Sequence, residues 1–157
     1  MGLAVREVPP LTVGEEPVSS SRIRAQIQAG KVAEAMHLLG RPYGVEGVVR
    51  EGRKLARTLG VPTANLPWPQ DKARPPAGSY AGWAYVPSPT PALLYLPPEG
   101  DLEVHLLGEE KSLYGETLKA AFLEQIRLYR PFSDLREAQE WIHRDVEAAR
   151  AYFRSRV

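Results

Sequence analysis

The placement of proline restricts this chain more than any other feature. Fifteen prolines interrupt its 157 residues. Between Pro42 and Pro98 no stretch free of Pro or Gly is long enough for an ordinary helix, since an interior proline costs a helix about 3 kcal/mol. The apolar runs left between the breaks are short: Tyr43 to Arg50, Ser79 to Val86, and Ala92 to Leu96. Leu102, Val104 and Leu106 then alternate with Glu103 and His105, the pattern of a half-buried strand. Leu118 to Leu128 continues the series, with Leu118, Ala120, Phe122, Ile126 and Leu128 read on one face. Several strands at hairpin spacing argue a small barrel or a sandwich.

Helical signals lie at the two ends. After an aperiodic start, read as an extended tail or a single strand at Leu3 to Val8, a serine at 19 to 21 caps a helix that carries Ile23 and Ile27 and stops at Gly30. A second helix runs from Lys31 to Leu39 and is closed by Gly40. Helices this short need something to pack against. At the other end, Asp134 with Glu137 has capping-box spacing. Leu135, Ala138, Trp141, Ile142, Val146, Ala149 and Phe153 form the apolar stripe of the helix that follows.

Gly52 to Asn65, reading GRKLARTLGVPTAN, fits neither period. Gly52 and Gly60 give backbone freedom, Arg53, Lys54 and Arg57 bring positive charge, and Thr63 and Asn65 offer oxygen donors of the kind that serve a hard cation or a phosphate. The spacing fits an anion cradle, but on spacing alone an ordinary surface turn is the better reading. Lys54 and Arg57 divide evenly between phosphate contact and solvated charge. His37, His105 and His143 have no metal-ligand spacing. Trp68 and Trp83 read as buried before they read as ring contacts.

The totals exclude several classes. The net charge of +1 gives little attraction to nucleic acid or to an anionic membrane, and there is no cysteine for a disulfide or a thiolate metal site. No apolar run reaches the ~18 residues of a membrane helix, and the start lacks a signal peptide's apolar core, so a cytoplasmic protein is expected.

Five segments in order carry a resemblance. SSSRIR with LLGRPY, LARTLGVPTANLP, GSYAGWAYV, LEVHLL with LYGETL, and Phe132 followed by a helix bearing Asp145 and Ala148-Ala149-Arg150 together resemble the riboflavin kinase part of the bacterial bifunctional riboflavin kinase/FMN adenylyltransferases. The likeness runs from Pro9 to Phe153. It implies a mainly β fold, with residues 41–157 as a six-stranded Greek-key barrel plus a C-terminal helix. Residues 1–40 would be a short helical remnant of the linker to an adenylyltransferase domain, which is absent, so no FAD synthesis is expected.

The implied activity is transfer of the γ-phosphoryl of ATP to the ribityl 5′-hydroxyl of riboflavin, giving FMN, with Mg²⁺ or Zn²⁺. The implied nucleotide-binding residues are Gly52, Lys54, Gly60, Pro62, Thr63 and Asn65, and Thr63 and Asn65 are the metal ligands. Arg127 and Arg130 are the implied flavin contacts. The expected partners are the flavin and nucleotide, with a separate adenylyltransferase protein as a further one. Against the family pattern, the resemblance implies a catalytic glutamate two residues after Arg127, where this chain has Tyr129. A phenol with pKa near 10 is a poor base at neutral pH. Glu116, Glu124 and Asp134 are the substitute carboxylates that this reading considers. The N-I-G-x-x-P-T-F segment is replaced by Pro91 to Pro98, and Ala56 stands for a glycine. A flavin- or nucleotide-binding module of the same fold without turnover, or one that binds only another protein, is the alternative function.

Overall fold

The computed structural model describes residues 12–13, 16–17, 20–50, 63–108 and 113–155. The strand expected at Leu3 to Val8 and most of the Gly/Lys loop, including Gly52, Lys54, Ala56, Arg57, Gly60 and Pro62, lie outside them. A two-residue pair, β1 (Thr12–Val13) with β2 (Glu16–Pro17), precedes helices α1 (Ser20–Gln28) and α2 (Val32–Leu39). Gly40 closes α2 in the left-handed conformation (φ 77°), its N–H donating to the Met36 carbonyl. This is the position where a residue with a Cβ is strained.

Six further strands make one antiparallel sheet: β3 (Tyr43–Val48), β4 (Ala64–Leu66), β5 (Gly78–Tyr85), β6 (Pro89–Leu96), β7 (Leu102–Leu106) and β8 (Thr117–Leu128). Their spatial order is β3-β8-β5-β6-β7-β4. Among the described residues the two edges meet through one bridge, in which Arg50 N–H donates to Asn65 O at 2.9 Å. The sheet is therefore a nearly closed barrel, which settles the choice between barrel and sandwich. Closure of this kind removes the exposed edges of a six-stranded sheet.

Alternation decides what fills the barrel. Val45, Leu66, Tyr80, Leu94, Leu96, Leu102, Val104, Leu118 and Phe122 point inward, with Tyr80 and Phe122 edge to face at 5.1 Å between centroids. Ile27, Val32 and Ala35 of α1 and α2 belong to the same apolar cluster. Here the two short helices find the surface that they lack alone.

The last helix, α3 (Leu135–Arg154), lies on the outside of β5, β6 and β8. Its cap forms as the spacing predicts: Glu137 N–H donates to Asp134 Oδ1 at 2.8 Å, and Ser133 N–H to Glu137 Oε1 at 2.9 Å. Val146 and Ala149 pack on Leu93 and Leu107, while Phe153 meets Trp83 at 5.0 Å. Leu135, expected in the stripe, is 56% exposed.

β8 also departs from simple alternation. Its register with β5 shifts twice, so that Leu123 and Ile126 have no direct partner there. The first bulge turns the residues beyond it to the other face, and the second turns them back. Ile126, between the two, packs with the α3 cluster rather than in the barrel, while Leu128, opposite Gly78, returns to the face of Phe122 and is exposed.

Candidate active site

The registers of four strand pairs place five polar side chains in one row across the barrel wall. Asn65 of β4 pairs with Glu103 of β7, Glu103 with Tyr95 of β6, Tyr95 with Ser79 of β5, and Ser79 with Arg127 of β8. Their sequence neighbours fix the direction in which they point. Leu66, Leu94, Leu96, Tyr80, Leu102 and Val104 are all in the core. The residues between them therefore face outward from the barrel, and on β5, β6 and β8 toward α3. Four steps of ~4.8 Å make the row about 19 Å as followed along the curved wall.

At one end stand the oxygen donors expected from the sequence. Asn65 is half-buried in β4, and Thr63, also half-buried, lies two residues before it. In extended chain that spacing shares a face. Directly opposite Asn65 is the half-buried Glu103. Direct cross-strand partners have Cβ atoms about 5 Å apart. A carboxylate thus sits beside a neutral amide and a hydroxyl on partly solvated ground. This is hard, all-oxygen chemistry that suits Mg²⁺ shared with phosphate oxygens. Among the described residues no group of three His, Asp or Glu could hold a metal by itself.

The other end is built around Asp145 of α3, which is 3% exposed. Its carboxylate accepts from Ser79 Oγ at 2.6 Å and from Arg127 Nε at 2.8 and 3.0 Å. Arg127 Nη1 reaches the Leu128 carbonyl at 3.3 Å, and among the described residues its buried Nη2 has no hydrogen-bond partner. The guanidinium groups of Arg127, Arg144 and Arg130 lie 4.9, 5.0 and 5.7 Å from the Trp141 ring. Arg127 and Arg130 are thereby brought to one end of the row, Arg127 within it and Arg130 exposed at its rim.

Tyr129 follows the end of β8, its N–H donating to the Ala77 carbonyl at 2.8 Å. Its phenol acts electrostatically on Tyr95 in the middle of the row. Burial, then the nearby Glu103 carboxylate and then Tyr129 push the Tyr95 hydroxyl up to about 12, with Arg127 acting the other way. Tyr95 is accordingly a neutral O–H donor throughout the ordinary pH range.

The substitute carboxylates lie elsewhere. Glu124 is exposed opposite Ala81, Glu116 is exposed at the start of β8, and Asp134 is spent on the α3 cap. Neither Trp68 nor Trp83 is in the row: Trp68 packs on Phe122 at 6.0 Å, and Trp83 lies against Phe153.

Sequence reasoning gave no role to Glu103, Tyr95 or Ser79. Glu103 left one signal, as a carboxylate on the outward face of a recognisable strand. Tyr95 and Ser79 sit in apolar runs and left none.

A family profile described as riboflavin kinase matches residues 39–153. The chain is 35% identical over 154 residues to the bifunctional riboflavin kinase/FMN adenylyltransferase of Bacillus subtilis, covering 91% of this chain and 49% of that protein. The protein of the same description from Escherichia coli is 34% identical, with 87% and 46% covered. That from Haemophilus influenzae is 31% identical, with 98% and 53% covered. The chain therefore spans about half the length of these relatives. Among solved structures, one described as a macrolide-efflux protein from Streptococcus pneumoniae superposes with a TM-score of 0.79 at 30% identity, covering 91% of this chain and 50% of that one. A family profile that runs from the end of α2 into α3, together with relatives more than 30% identical over most of the chain, makes this chain a member of the riboflavin kinase family.

Proposed function

We propose that the chain phosphorylates riboflavin to FMN with ATP, and that the outward row is where the transfer occurs. The observation that carries this reading is the pairing of Glu103 with Asn65. Phosphoryl transfer asks a protein mainly for positioning and charge neutralisation. The attacking group is the terminal hydroxyl of the flavin's ribityl chain. As its oxygen bonds to the γ-phosphorus and the bond to the ADP oxygen breaks, its proton passes to the Glu103 carboxylate. Thr63 Oγ and the Asn65 side-chain oxygen would hold Mg²⁺ together with the nucleotide phosphates. When bound, the ion neutralises charge on the phosphate oxygens.

The ring of the flavin then lies toward Arg127, farther round the barrel wall. Asp145 holds the Arg127 guanidinium in place, leaving Nη2 as the donor for a ring oxygen. In this arrangement Tyr129 is no base, and the transfer needs none from that position. The second reading, a module that binds without turnover, draws on the tyrosine at 129, where the family resemblance implies a carboxylate.

Incubation of the protein with riboflavin and Mg-ATP, followed by chromatography, separates the two. We expect FMN in amounts stoichiometric with the ADP released. Flavin binding with no FMN above background would instead leave the binding module.

A further inference from the structure

Tyr95 occupies the middle of the row, between Glu103 on one side and Ser79 on the other. Its neighbours are already engaged. Ser79 Oγ donates to Asp145, and Asp145 also takes Arg127 Nε, so both its oxygens are in use. Among the described residues no hydrogen bond takes up the Tyr95 hydroxyl. A half-buried phenol without a protein partner, one strand from a catalytic carboxylate, is a donor available to a ligand.

We infer that Tyr95 is a specificity-determining residue of this site, donating its O–H to a hydroxyl of the substrate's polyol chain inward from the one that reacts. This rests on the reading of the row as a flavin site. The spacing supports the polyol rather than the ring. One strand step, ~4.8 Å, separates Tyr95 from Glu103, whereas two steps separate it from Arg127 at the ring end. The donor is also constant. Burial and the adjacent Glu103 keep the phenol protonated to about pH 12, so it never presents an anion to the substrate. A site that hydrogen-bonds a hydroxyl rejects the analogue that lacks it far more strongly than an apolar pocket would.

The test is a flavin-fluorescence titration of the wild type and Tyr95→Phe with two ligands, riboflavin and lumiflavin, which has the same ring and no polyol. Removing the donor is expected to weaken riboflavin about tenfold, the equivalent of ~1.4 kcal/mol, and to leave lumiflavin unchanged. A Tm within about two degrees of wild type checks that the fold is intact. If the wild type binds riboflavin and Tyr95→Phe binds it equally well, the Tyr95 assignment falls and the flavin site stands. Equal weakening of both ligands also overturns it, by moving the contact to the ring. If the wild type binds neither flavin, the underlying reading falls and takes this one with it.

Discussion

Asp145 shows how much of the site depends on one residue. It is a carboxylate on a helix, 3% exposed, and it joins that helix to two strands through Ser79 and Arg127. A buried ion pair contributes little net stability, because desolvation offsets its Coulomb attraction. Breaking one is different, since the remaining charge is left buried and unmatched. Asp145→Ala strands the Arg127 guanidinium, whose Nη2 already lacks a partner among the described residues. We expect a loss of about 3 kcal/mol in urea denaturation. A loss under ~1 kcal/mol would mean that solvent reaches Arg127 and that the arginine is not locked in the row.

At the scale of elements, the contact between β5 and β8 aligns the two ends of the row. The register slips between Ser79 and Tyr80 and again between Ala81 and Gly82. Gly82 lies at the second slip, where a Cβ would stand 2.3 Å from the Ala121 carbonyl oxygen and 2.5 Å from Leu94 Cδ1. Leu94 could rotate, but the Ala121 backbone cannot move without opening the ladder. Gly82→Ala should therefore cost about 2–3 kcal/mol, at the upper end of overpacking effects, as read from the thermal unfolding midpoint. A midpoint unchanged from wild type would show that the two strands do not approach so closely. Elements governed by local rules were legible in the sequence: Gly40 ends α2, Asp134 and Glu137 cap α3, and Leu102 to Leu106 alternates as a strand. The bulges were not, because an unpaired Leu123 or Ile126 has the same local pattern as a paired one. This is why the local pattern puts Ile126 on the wrong face, while Leu128, past both bulges, is back on the face of Phe122.

For the molecule as a whole, the lesson is one of distance along the chain. Thr63 and Asn65 stand out in sequence because they sit in an unusual loop. Glu103 sits in an ordinary strand and becomes a candidate base only when β4, far from it in sequence, pairs with β7. Tyr95 and Ser79 gain meaning in the same way, from pairings that no local pattern encodes. The family resemblance supplied the barrel and its terminal helix, and both were found. It also directed attention to position 129, whereas the carboxylate beside Asn65 is one barrel wall away.

The central claim is that the row performs the transfer with Glu103 as its base. It is tested most directly by steady-state FMN formation in Glu103→Gln and Tyr129→Phe beside the wild type. The account predicts that Glu103→Gln lowers kcat by ~10²–10⁴, the usual worth of a general base, while Tyr129→Phe stays within about threefold. Glu103→Gln at near wild-type kcat, with the loss falling on Tyr129→Phe, would contradict it.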